Sequence, residues 1–121
     1  MQPDYSRLLS SLGLAARARK LSFGTELTCE AAQRGNLHLV ILSNEASQNT
    51  LNKVKRSCTE NDIAFFELDI DAQKLALSLG KKRPVMTIGV IDENFRDLVQ
   101  RTITDNADVT AFSETYSESE V

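Results

Sequence analysis

Between residues 37 and 91 the chain carries three short, nearly unbroken apolar runs, LHLVILS (residues 37–43), IAFFEL (63–68) and VMTIGVI (85–91). Runs of six or seven residues that do not alternate with polar ones suit strands buried on both faces. Each run is followed by apolar residues at helical spacing behind a residue able to cap a helix start. Ser47 precedes Leu51, Val54 and Cys58; Asp71 precedes Ala72, Leu75, Ala76 and Leu79; Asp92 or Asn94 precedes Phe95, Leu98, Val99 and Ile103. Two more helices come first. One is marked by Leu8, Leu9, Leu12, Ala15 and Ala16, with Arg17, Arg19 and Lys20 at its C-terminal end. The other runs from about Thr25 to Arg34 and stops at Gly35, a usual C′ residue. Such alternation predicts an α/β fold, a three-layer α-β-α sandwich with a small mixed sheet. The pattern does not give the strand order.

A chain of 121 residues is enough for one domain with a modest core. Residues 102–121 contain Asp105, Asp108, Glu114, Glu118 and Glu120 and no Lys or Arg. The formal net charge of −3 therefore divides into −5 from that segment and +2 from residues 1–101. The expected organisation is an α/β domain over residues 1–103 and an acidic, disordered tail over 104–121. No apolar run is long enough to cross a bilayer and MQPDYSRLLSS lacks the features of a signal peptide, so a cytoplasmic protein is expected. Cys29 and Cys58 form no metal-like pair and read as small core thiols.

The residue types of catalysis are sparse. The one histidine, His38, heads an apolar run; no serine or cysteine lies in a nucleophile motif; no GxxxxGK[ST] or GxGxxG occurs. Asp69, Asp71, Asp92 and Glu93 follow strands, where helix capping accounts for them. Neither an enzyme nor a cofactor or metal site is expected.

Binding has more support. Ten of the fourteen basic residues fall at Arg17/Arg19/Lys20, Arg34, Lys53/Lys55/Arg56 and Lys81/Lys82/Arg83. The first group leads toward Gly24, at a helix start. The last lies in the GKKRPV loop, stiffened by Pro84. Helix starts present unpaired N–H groups and partial positive charge. If the two turns share one end of the sheet, they form a basic edge beside those donors. Lys53, Lys55 and Arg56 read as the solvated face of their helix.

ARARKLSFG, TELTCEAAQRG, LVILSNEAS, LALSLGKKRP and VMTIGVIDENF, in that order, resemble the ribosomal protein L-seven-Ae family of kink-turn RNA binders, most closely its small bacterial members. The likeness covers about residues 5–100. It implies an α-β-α sandwich and a partner that is a sharply bent structured RNA, ribosomal or regulatory, with neither DNA nor membrane involved. Carried over residue by residue, it places Lys20 on the RNA backbone, Gly24 at a close approach and Thr25 as a donor. Gly80, Lys81, Lys82, Arg83 and Pro84 fall in the second RNA-facing loop. The chain departs from the family pattern at three positions on the glycine-led helix. Glu26 stands where relatives often carry Asn, Leu27 where Glu or Gln is common, and Glu30 where many have Lys. Glu26 suits a guanine edge, whose N1–H and N2–H₂ donate to a carboxylate. Two alternatives stay open: a protein-interaction module of the same fold with weak or no RNA binding, motivated by Leu27, Glu30 and the acidic tail, and a small-ligand or phosphate-binding domain using the Gly24 helix start.

Overall fold

The computed structural model describes residues 5–104 and 110–111. Among the described residues five helices and five strands follow in the order α1 (Ser6–Arg17), β1 (Leu21–Phe23), α2 (Thr25–Gln33), β2 (Leu39–Ser43), α3 (Gln48–Glu60), β3 (Ala64–Leu68), α4 (Ala72–Ser78), β4 (Thr87–Val90), α5 (Glu93–Thr104) and β5 (Thr110–Ala111). The strands form one sheet in the order β1-β4-β2-β3-β5. Only β2 and β3 pair in parallel; the other three pairs are antiparallel, so the sheet is mixed.

The unbroken apolar runs are explained by burial on two sides. All five residues of β2 and all four of β4 are buried. Leu39 and Ile41 pack into a cluster with Leu8, Leu12, Leu75 and Val99 from α1, α4 and α5. Val40 and Leu42, pointing the other way as strand geometry requires, join Ala32, Val54 and Cys58 from α2 and α3. The expected three-layer sandwich is the observed fold. In the second cluster, burial and the neighbouring Cys29 push the Cys58 thiol up to about 12, which keeps it protonated and unreactive at neutral pH.

Local capping follows the sequence closely. The Ser47 hydroxyl accepts from the Thr50 N–H at 3.1 Å, the Asp71 carboxylate from the Lys74 N–H at 2.6 Å, and Asp92 rather than Asn94 from the Phe95 N–H at 3.0 Å. With seven residues, α4 is too short to persist on its own, so its cap matters. Asp71→Ala is expected to lower the unfolding free energy by about 1 kcal/mol. A urea titration with an unshifted midpoint would show that the cap contributes nothing.

Some boundaries and elements differ from the expectation; β2 and β3, for example, begin at Leu39 and Ala64. The strand expected over 85–91 contracts to Thr87–Val90, because the Val85 N–H is taken by Ala72 of α4 and Met86 is partly exposed. The edge strand β1 was not anticipated, since three residues are too few to display a period. Within the expected tail, Thr104 closes α5 and Thr110–Ala111 pair with Phe66 and Glu67 of β3. The rest of the tail lies outside the described residues.

Candidate nucleic-acid interface

The glycine-led turn is built by backbone conformation. Gly24 is the N-cap of α2 with φ 99° and ψ 154°, a region that residues with a Cβ rarely enter. A Cβ there would meet nothing within 4 Å, so the constraint is torsional and the space above the turn is open. The Gly24 N–H donates to the Thr87 carbonyl at 2.9 Å, and the Thr25 and Thr87 hydroxyls lie 2.9 Å apart. These bonds fasten the start of α2 to the start of β4. No side chain caps the helix, leaving the first-turn N–H groups as donors for a ligand.

The second turn is the chain that leads into β4. Gly80, with φ 78°, ends α4, and the Lys81 N–H returns to the Ala76 carbonyl at 2.9 Å, the closure typical of a helix C-terminus. Gln73 Nε2 donates to the Lys82 carbonyl at 3.2 Å, and the Val85 N–H donates to Ala72 at 3.1 Å. The backbone is thus tied down while Lys81, Lys82, Arg83 and Pro84 remain exposed. Lys81 reaches across to β1, its Nζ 4.3 Å from the centroid of the Phe23 ring, a cation–π distance. Since Phe23 immediately precedes Gly24, the two turns lie side by side at one rim.

Lys20 is placed differently. It sits at the opposite end of β1, where its carbonyl accepts from the Ile91 N–H. Four residues of extended chain put it about 13 Å from Gly24. Arg17, from the same basic group, shares a groove with Phe23, Gly80 and Lys81.

The acidic residues of α2 divide into two cases. Glu26 is bound by Lys53 of α3 in an ion pair whose side chains are 82% and 50% exposed. The hydrogen bond to Glu26, followed by its charge, raises the Lys53 pKa above the ordinary lysine value. Pairs this exposed are weak and salt-screened, so Lys53 offsets the acid at the helix start without locking it. Lys53 therefore belongs to this end of the molecule and not merely to a wet helix face. Sequence reasoning missed this because the partners are 27 residues apart. Glu30 lines a second groove with Leu27 and Arg34, and Leu27 is 57% exposed. Among the described residues no group of three or more His, Cys, Asp or Glu side chains is arranged to hold a metal ion, and no helix is long and apolar enough to cross a membrane.

Residues 6–99 match the family described as Ribosomal protein L7Ae/L30e/S12e/Gadd45. The RNA-binding protein YlxQ of Enterococcus faecium is 35% identical over 89 residues, spanning 74% of this chain and 84% of that protein. YlxQ of Bacillus subtilis (strain 168) is 34% identical over 84 residues, 69% of this chain and 82% of that one. A solved structure of a protein of unknown function from Bacillus halodurans C superposes with a TM-score of 0.75 at 37% identity, covering 81% of this chain and 97% of the other. The Giardia lamblia 15.5kD RNA binding protein, at 14% identity and a TM-score of 0.69 over 84% and 85% of the two chains, shares the fold.

Proposed function

The chain belongs to the ribosomal protein L7Ae/L30e/S12e/Gadd45 family, and from that premise we propose that it is a non-enzymatic binder of structured RNA whose target is a sharply bent, kink-turn-like internal loop. The target is ribosomal or regulatory RNA met in the cytoplasm. The observation that carries this reading is the common rim: Gly24 bonded to Thr87 and Lys81 resting on Phe23. A bent RNA offers two backbone segments close together, and two adjacent turns can engage both. Phosphates meet Lys81, Lys82 and Arg83 and the first-turn N–H groups of α2, which fixes position without reading sequence. Pro84 holds the loop, Gly24 permits close approach and Thr25 supplies a donor. Gly80 sets the direction of the loop. Lys20, away from the rim, touches backbone farther along the RNA.

Specificity falls to Glu26. In an exposed pair with Lys53, its carboxylate stays within reach of a purine edge, and a guanine can replace or share the lysine. Mobility shift is the test. The protein is expected to retain an RNA carrying sheared G·A pairs at a bend and to bind the same RNA far less well once those pairs become Watson–Crick. Equal binding to both would remove the claim of shape recognition. Glu26→Ala is expected to narrow the gap between the two RNAs, by about 1–3 kcal/mol of lost discrimination; an equal loss on both would mean that Glu26 reads no base.

Exposed Leu27 beside Glu30 favours a second reading, a protein-interaction module that kept the fold. Absence of any shift with the bent RNA at moderate salt would select it.

A further inference from the structure

Among the described residues β1 is an edge of the sheet, and its hydrogen bonds fix its register. Leu21, Ser22 and Phe23 face Val90, Gly89 and Ile88. The Gly24 N–H donates to the Thr87 carbonyl, and the Ile91 N–H donates to the Lys20 carbonyl. Bonded and non-bonded pairs alternate along an antiparallel ladder, so the positions bonded to β4 are 20, 22 and 24. The N–H and C=O groups of Leu21 and Phe23 therefore point outward, and among the described residues no turn or loop backbone group bonds to them. Exposed edges of this kind are templates for another strand.

Grooves flank the edge on both sides. Toward α1 and α4 lies one of about 790 Å³, with Leu9, Leu14, Phe23 and Leu79 as apolar wall and Arg17 and Lys81 as cations. Toward α2 lies one of about 450 Å³ that holds Arg34 and Lys81 along with Glu30. A strand added to β1 would send alternate side chains into the two grooves.

We propose that the open edge of β1 is a docking site for an extended acidic segment of a partner protein, bound by strand addition. Its apolar side chains enter the groove against α1, and its carboxylates, on the other face of the strand, meet Lys81 and Arg34. Charge complementarity decides the occupant. The edge carries three cations against Glu30, so a second copy of the same edge would set like charges against like. An RNA strand does not supply the alternating amide donors and acceptors that the outward groups of Leu21 and Phe23 require. Strand addition does, with the ladder giving affinity and the pockets giving specificity. Lys81 is common to this edge and to the RNA reading above, so acidic peptide and RNA exclude one another.

The test uses the full-length protein and no RNA, so its outcome is independent of that reading. The probe is an acetylated, amidated octapeptide of alternating glutamate and valine, titrated into ¹⁵N-labelled protein. The Leu21 and Phe23 amide resonances are expected to shift and to gain protection from hydrogen exchange. N-methylating the peptide amides that face β1 is expected to weaken binding at least about tenfold, two or more ladder bonds being lost; methylating the alternate amides leaves it unchanged. Lys81→Ala also weakens it. Equal effects of the two methylation patterns, equal binding of a lysine–valine peptide, or shifts confined to other elements would each overturn the proposal. So would dimerisation of the free protein that protects these same two amides.

Discussion

Replacing Lys81 and Lys82 together by alanine is expected to weaken binding of a bent RNA by about tenfold or more near 0.1 M salt, and to flatten the dependence of log K on log [salt] by roughly 1.5 to 2 units of slope. Each phosphate contact releases condensed counterions, so two lost contacts appear in the slope as well as in the affinity. The two lysines are not equivalent. Lys81 is held over Phe23 and so loses less freedom on meeting a phosphate, whereas Lys82 contributes its exposed side chain as a mobile charge. Lys81→Ala is accordingly expected to cost more than Lys82→Ala. Folding should be untouched, because the loop is tied by backbone groups and by Gln73. Filter binding across a salt series checks this. An unchanged slope with an unchanged melting curve would take the loop out of the interface.

What could be read in advance was local or periodic. The caps at Ser47 and Asp71 act three residues along the chain, and the buried runs declare themselves by composition. What could not be read was contact between distant segments. The joining of the two turns needs Gly24 to bond Thr87, 63 positions later, and Lys81 to lie on Phe23. Nothing in either local sequence encodes that pairing. The same holds for Lys53 and Glu26, whose ion pair changes the meaning of an acid at a helix start from an obstacle to a balanced group. Arg17 and Lys20 stood together in the sequence, yet only Arg17 lines the groove with Phe23 and Lys81, the turn between them, with Arg19 at φ 61°, redirecting the chain into β1.

An ordinary-looking strand glycine, Gly89, governs the position of α2. It faces Ser22 on β1, and a Cβ built on it would lie 2.5 Å from Ser22 Oγ, 2.6 Å from Leu37 Cδ1 and 3.0 Å from Thr28 Cγ2. Thr28 is buried and its hydroxyl is 2.9 Å from that of Ser22. The missing side chain is therefore what lets α2 sit down on the sheet. Gly89→Ala gains some strand propensity but forces these three groups apart, and the net cost is expected to be about 1–3 kcal/mol. For a domain of this size that is a fall in melting temperature of roughly 5–15 °C. Ser22→Ala together with Thr28→Ser removes two of the three clashing atoms. In that background Gly89→Ala should cost measurably less, a coupling that a double-mutant cycle reports. Additive effects would show that the crowding at Gly89 is not the cause. Thr28 stands one turn from Gly24, and its N–H donates to the Gly24 carbonyl. Lifting α2 off the sheet must therefore also move the helix start away from Thr87 and the 81–84 loop. Gly89→Ala is thus expected to weaken RNA binding several-fold at temperatures where the protein remains folded, although residue 89 is buried beneath α2. The reason is that the interface is a distance between two turns, and this glycine sets that distance.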